Sequence, residues 1–180
     1  MGNHTDRHLA EARFRTVFSH LGAVTAYARR RGSRDADAIA AETMTVAWRR
    51  LADVPKDDPR PWLYATARNL MLADARRSSG ASPLAVLEDE QLTAAPELQE
   101  LDPGLSEALQ SLAPIDREAL LLVAWEDLKP SQAARALGIN PTAFRVRLLR
   151  ARRRLRDRLS DYAEQDAAEA HSLGSIVEGT

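Results

Sequence analysis

The sequence predicts an all-α protein of two small helical domains joined by a flexible acidic linker, and three observations carry that expectation. Ala and Leu dominate the 44% of residues that are hydrophobic, while Phe, Tyr and Trp number three each, a composition suited to helices packed through aliphatic stripes. Apolar residues recur at three- and four-residue spacings in several segments that end at glycine or proline, which is helical periodicity with helical stops. The stretch 78–104 lacks that periodicity and is rich in Ser, Pro, Gly and acids, the composition of an interdomain linker. At 180 residues the chain has room for both domains.

The first helix is marked by Phe14, Val17, Phe18, Leu21, Val24 and Ala28 on one face and is expected to run to Arg31-Gly32, with Gly32-Ser33 as its stop. The second, over 35–51, turns Ile39, Ala40, Thr43, Met44, Ala47, Trp48 and Leu51 inward and leaves Ala38, Ala41, Glu42, Thr45 and Arg49 on the opposite face. Pro55, Pro59 and Pro61 make 52–61 a loop, and Pro61 suits the first turn of a third helix. That helix carries Leu63, Ala67, Leu70 and Met71 inward and ends at Arg76-Arg77-Ser-Ser-Gly80. Beyond the linker, Leu105, Leu109 and Leu112 predict a short helix, followed by helices over 114–125 and 130–137. Gly138 ends the last of these, Asn140 is a good N-cap, and Pro141 suits the first position of a final helix reaching about Leu159. The resulting division is a first domain at 1–80, a linker at 81–104, a second domain at 105–159 and an acidic tail at 160–180. The tail is expected to be disordered. The alternative is that it folds back on the basic helix before it as a self-inhibitor.

Charge and composition exclude several function classes. No cysteine is present, which removes a disulfide framework, thiolate metal sites and a cysteine nucleophile and agrees with a reducing compartment. No apolar run approaches the ~18 residues of a membrane span, and the polar N-terminus does not read as a signal peptide, so a soluble, cytoplasmic protein is expected. The four histidines, His4, His8, His20 and His171, sit in no nucleophile, metal or phosphate-binding motif. His4 and His8 are spaced to share a metal on a helix, or to be a frayed terminus. An enzyme is not expected, and neither a catalytic residue, a cofactor, a metal site nor a small-molecule substrate is assigned.

The formal net charge of −1 conceals an uneven distribution. Between Arg145 and Arg158 eight arginines face a single acid, Asp157, whereas 83–107 and 160–180 carry acids and no Lys or Arg. The segment LKPSQAARALGINPTAFRVRLLRARRRLRDRL has a helix-turn-helix layout: small residues Ala133 and Ala134 for a close crossing, a glycine at the turn, and a capped second helix. Phe144, Leu148, Ala151 and Leu155 form the stripe that packs down, leaving faces that are nearly all arginine. A helix of about twenty residues is about 30 Å long, enough to enter a major groove and then follow phosphates. Arginine suits both tasks, since its planar fork pairs with guanine edges or bridges phosphate oxygens. Read alone, the same run is also an ordinary solvated helix face.

The pattern Leu105-x3-Leu-x2-Leu-x-Pro-x2-Arg117, Leu120-Leu-Leu122, Ala134-x2-Leu-Gly138 and Arg147-Leu-x-Arg-Ala-Arg-x2-Leu-Arg156 resembles the C-terminal promoter-binding region of sigma factors. Independently, Asp35-Ala-Asp-Ala-Ile-Ala-Ala-Glu-Thr-Met-Thr-Val-Ala-Trp48 is similar to the sigma region 2 segment that docks on the polymerase clamp. Pro61-Trp-Leu-Tyr-x-x-Ala-Arg-Asn69 with Arg76-Arg77 is similar to the element that opens and reads the −10 box. The chain therefore resembles the sigma-70 family, in its small extracytoplasmic-function class, with a region 2-like and a region 4-like domain.

That resemblance implies core RNA polymerase (clamp and flap) and promoter DNA as partners, with an anti-sigma protein as a further one. It places the clamp contact on Asp35, Ala38, Ala41, Glu42, Thr45 and Arg49. The −10 element falls to Asp53, Lys56, Asp57, Trp62, Tyr64, Arg68, Asn69, Arg76 and Arg77, with core packing an equal reading for Trp62. The −35 element falls to Pro141, Thr142, Arg145, Val146 and Leu149, with Arg147, Arg150, Arg153 and Arg154 in backbone or packing roles. The family usually has an acid and a glutamine where this chain has Ala38 and Ala41, and an acid where it has Ala73. Where the family often has Gly-Thr-Val-Lys-Ser-Arg this chain has Thr142-Ala-Phe-Arg-Val-Arg147, so the promoter sequence read does not transfer. The competing reading is a helix-turn-helix regulator that acts without core polymerase, which has no use for the 35–77 pattern.

Overall fold

The computed structural model describes residues 2–79 and 101–177, with side chains over 6–77 and 101–165. Among the described residues there are eight α-helices and no strand: α1 (Gly2–Phe18), α2 (Leu21–Arg30), α3 (Ala36–Arg49), α4 (Arg60–Ser79), α5 (Pro103–Gln110), α6 (Pro114–Ala124), α7 (Pro130–Leu137) and α8 (Pro141–Val177). The linker acids Glu88, Asp89, Glu90, Glu97 and Glu100, and with them the expected flexibility of that segment, lie outside the described residues.

The single first helix expected from Phe14 to Arg31 is instead broken at Ser19-His20. Ser19 Oγ donates to the Thr16 carbonyl at 2.7 Å, and the His20 amide reaches only three residues back, to Val17. Such a tightened turn shifts the phase of the apolar stripe. Val17, Val24, Tyr27 and Ala28 stay in the core, but Phe18 is left 47% exposed. In α3 the Asp35 carboxylate caps the helix by accepting from the Ala38 amide at 2.8 Å. Ile39, Ala40, Thr43, Met44 and Ala47 are buried as the periodicity requires. Trp48, expected in that stripe, is 45% exposed. Its indole instead meets Phe14 of α1 edge-on, with centroids 5.0 Å apart.

Pro61 falls in the first turn of α4, which buries Leu63, Tyr64, Ala67 and Leu72. In the second domain Gly138 closes α7 at φ 66°, a backbone state that costs other residues but not glycine. Asn140 Oδ1 then accepts from the Thr142 amide at 2.8 Å to start α8. Phe144, Leu148 and Ala151 are buried beneath α8 and Leu155 is half-buried.

Two boundaries differ from expectation. The recognition helix does not stop near Leu159; it continues to Val177, so 160–177 is helix where disorder is expected. Tyr162, on the extension, packs over the buried Gly104 of α5. The second domain accordingly begins at the Asp102 cap, whose carboxylate accepts from the Leu105 amide at 3.2 Å, ahead of residue 105. The two domains also pack on each other. Helix α7 lies along α4, and the buried side chains of both form one continuous cluster.

Candidate nucleic-acid interface

The outer face of α3 follows from helical spacing. Asp35, Ala38, Ala41, Glu42, Thr45 and Arg49 are all exposed on the side opposite the buried stripe. Two of them have local duties, since Asp35 caps the helix and Thr45 Oγ1 donates to the Ala41 carbonyl at 3.0 Å. Glu42 and Arg49 are the charged groups of this face that remain free for a partner among the described residues.

Residues 52–59 and α4 bring together the second set. Asp53, Lys56, Asp57, Asn69, Arg76 and Arg77 are exposed, and Trp62 and Arg68 are half-buried. Asp53 is bridged by Arg50 at 2.9 Å, and the same guanidinium lies 6.0 Å from the Trp62 ring centroid. Tyr64 is the exception, at 2% exposure. Its ring stacks on Tyr27 at 4.7 Å, and burial together with the nearby Glu126 carboxylate pushes its phenol up to about 12. In this arrangement Tyr64 offers no surface to a base.

The third set lies on the first turns of α8. Pro141, Thr142, Arg145, Val146, Leu149, Arg150, Arg153 and Arg154 are exposed and Arg147 is half-buried. Val146 and Leu149 present 44% and 70% of their surface, an unusual display of aliphatic groups that suits contact with thymine methyls. Arg147 donates to the buried Asp116 carboxylate at 3.0 Å and Arg154 bonds its other oxygen, so these two arginines fix α8 on α6. Arg145 and Arg150 have no carboxylate partner among the described residues and are free for DNA.

Between the domains lies a polar cluster that sequence reasoning missed. Arg31 Nε donates to both oxygens of Glu118 at 2.8 Å, and its Nη1 to Glu126 at 3.1 Å. Arg30 grips Glu126 through both oxygens, at 2.9 and 2.8 Å. Tyr27 Oη donates to Glu118 at 3.0 Å beneath the Arg31 guanidinium, which sits 3.7 Å over its ring. Burial disfavours the Arg31 charge, but Glu118 and Glu126 outweigh it and hold the guanidinium above its ordinary value. Burial, followed by Glu118, raises the Tyr27 phenol well above its usual range. At the far edge Gln132 Nε2 donates to Asp58 at 2.7 Å while its Oε1 caps α7 through the Lys129 amide at 2.8 Å. A sequence signal existed: Glu118 and Glu126 bracket the apolar run 119–125, and carboxylates that helical packing buries require cationic partners. Arg30 and Arg31 stand just ahead of the Gly32-Ser33 stop, where the sequence gives them no partner.

Two family models match the chain: Sigma-70 region 2 over residues 17–80 and Sigma-70 region 4 over 104–155. Together they span well over half of it, in the family's order. The chain belongs to the sigma-70 family. Among solved structures it is similar to CnrH in complex with the cytosolic domain of CnrY, at 29% identity and TM-score 0.53, over 82% of this chain and 88% of that one. The sigma factor RpoE in complex with the anti-sigma factor NepR from Bartonella quintana shares the fold, at 20% identity and TM-score 0.58, over 81% and 95%. This sigma factor is of the extracytoplasmic-function class and directs RNA polymerase to promoters. Regions 2 and 4 bind core polymerase and promoter DNA. Among the described residues no helix is long and apolar enough to cross a membrane, and no cluster of His, Cys, Asp and Glu is arranged to hold a metal.

Proposed function

We propose that the three exposed sets divide the work of initiation as follows. The outer face of α3 docks on the polymerase clamp, chiefly through Glu42 and Arg49, because Ala38 and Ala41 supply no polar group. The 52–59 loop and α4 capture unpaired bases of the −10 element. The start of α8 reads the −35 element as duplex, through Arg145, Val146, Leu149 and Arg150 at base edges or phosphates.

No catalysis is involved. Unstacking a base step costs a few kcal/mol, and a factor without ATP offsets it only by binding the open strand more tightly than the duplex. Trp62 supplies a stacking surface, Asn69 a base-edge partner, and Arg68, Arg76 and Arg77 phosphate contacts. CnrH and RpoE are each bound to a protein partner, CnrY and NepR, and an anti-sigma protein is the partner class proposed for this chain as well. The cytoplasm, where core polymerase and promoters are, is its proposed location.

The observation that carries the polymerase assignment is the exposure of all six α3 residues on one face, with the opposite stripe buried in the core. Binding to purified core polymerase tests it. The Glu42→Ala, Arg49→Ala double variant weakens core binding about tenfold, equivalent to ~1.4 kcal/mol, and leaves duplex DNA binding unchanged. A regulator that acts alone binds DNA but not core polymerase, with or without the substitutions.

A further inference from the structure

We propose that Arg13 is a positioning residue for the 52–59 loop: its guanidinium, reaching in from α1, sets where that loop stands and so which unpaired base the −10 surface accepts. The inference rests on the −10 role assigned to the loop above. It adds a residue outside the stretch that the region 2 model matches, which begins at residue 17.

The loop is poor in donors of its own. Pro55, Pro59 and Pro61 stand in it or beside it, and proline brings no amide N–H. A carbonyl in such a stretch must find its partner elsewhere. For Val54 that partner is Arg13, whose Nη2 donates to the Val54 carbonyl from 41 residues away in the chain. The donor is charged and half-buried, which makes the bond stronger than one between neutral groups and shields it from competing water.

Arg13 springs from an anchored segment of α1. Val17, one turn further along the same face, is buried, and Phe14, next to Arg13, meets the Trp48 indole edge-on. The other polar contacts that arginines make with the loop are local. Arg50 bridges Asp53 three residues on, and Arg60 bonds Asp58 across two. Each shapes a turn and neither fixes where the loop lies on the domain. The Arg50 pair is also largely exposed, where an ion pair contributes little. Gln132 of the second domain holds Asp58 at the loop's far end, and Arg13 ties the near end to α1.

The side chains divide accordingly. Val54 and Pro59 are buried, while Asp53, Lys56 and Asp57 stand exposed. The loop is thus fixed on its inner side with its polar groups turned outward, as a base-accepting surface requires. Ordering it before the base arrives keeps that entropy cost from weakening capture.

Lys56 and Lys129 are the chain's two lysines, and Pro130 protects the second, so a lysine-specific protease reports opening of the loop at Lys56 in the full-length protein. Arg13→Met keeps the stem and removes the donor, and far-ultraviolet dichroism confirms that the variant keeps its helices. Nicking at Lys56 is expected to be about tenfold faster in the variant than in the wild type, the weight of one charge-assisted hydrogen bond. In a second arm, holoenzyme assembled with core polymerase selects from single-stranded DNA of random sequence, and the bound strands are sequenced. The wild type enriches a motif. With Arg13→Met the preference at adjacent positions of that motif falls about tenfold, while its remaining positions and the affinity for core polymerase are unchanged. Arg13→Lys, which still carries a donor on a long stem, restores the preference. A nicking rate equal to that of the wild type overturns the proposal, as does a motif that survives Arg13→Met intact or weakens equally at every position. A wild-type holoenzyme that enriches no motif overturns the −10 reading instead, and leaves the nicking result standing.

Discussion

A methyl group at position 104 would stand 2.6 Å from the Tyr162 ring, so Gly104→Ala must push that ring aside. A loss of about 1 kcal/mol is expected in urea unfolding. With Tyr162→Ala in place the same change is neutral or stabilising by up to about 1 kcal/mol, since alanine is the better helix former. A destabilisation that persists in full in the double variant would place its cause at the Asp102 cap, whose Oδ1 would stand 3.2 Å from the same methyl, and not at the Tyr162 ring. Asp116 gives a second residue-scale expectation. Its buried carboxylate is shared by Arg147 and Arg154, both partly solvated, and Asp116→Asn lowers the stability of the second domain by about 1–2 kcal/mol. The cap at Asn140 and the stop at Gly138 were legible in the sequence, because they depend on chemistry within four residues. Asp116 was not, since its partners lie far along the chain on another helix and no local pattern links them.

Among the elements, α8 carries the DNA term. If about four of its arginines neutralise phosphates, a plot of log affinity against log salt falls with a slope of roughly −3.6. Asp116→Asn frees Arg147 and Arg154 and steepens that slope, whereas Arg145→Ala with Arg150→Ala makes it shallower. A slope indifferent to these changes would leave the arginine face as merely solvated surface. Periodicity located nearly every helix, and the Phe144, Leu148, Ala151 stripe identified which face of α8 is buried. It failed at two places for physical reasons. A continuous three-to-four spacing does not reveal the Ser19-His20 break, because a tightened turn changes the helix phase without changing the residue types. The polar composition of 160–177 suggested disorder, yet Ala and Glu are strong helix formers and extend a helix already nucleated by α8.

At the scale of the whole molecule, the two domains and their order were evident in the sequence, but their contact was not. That contact depends on Arg30 and Arg31 meeting Glu118 and Glu126 across the linker, which becomes visible only when both helices are in place. The contact has a pH signature. The Tyr64 phenol is pushed up to about 12 from an ordinary value near 10, so its protonated form is favoured while the domains are in contact. Its contribution is fully present below about pH 10 and is lost as the pH rises through about 12. Tyrosinate absorbance should therefore show a late-titrating phenol in the free chain. In the Arg30→Ala, Arg31→Ala variant that phenol should return toward the ordinary range; an unchanged titration would place the shift within the first domain alone. The central claim, that this chain directs polymerase to promoters by reading two elements with two domains, is tested most directly by transcription from a genomic library with purified core polymerase, with start sites mapped. The account predicts discrete starts preceded by two shared motifs at fixed spacing, with the upstream motif lost in the Arg145→Ala, Arg150→Ala variant and the downstream one retained. Starts no different from those of core polymerase alone would contradict it.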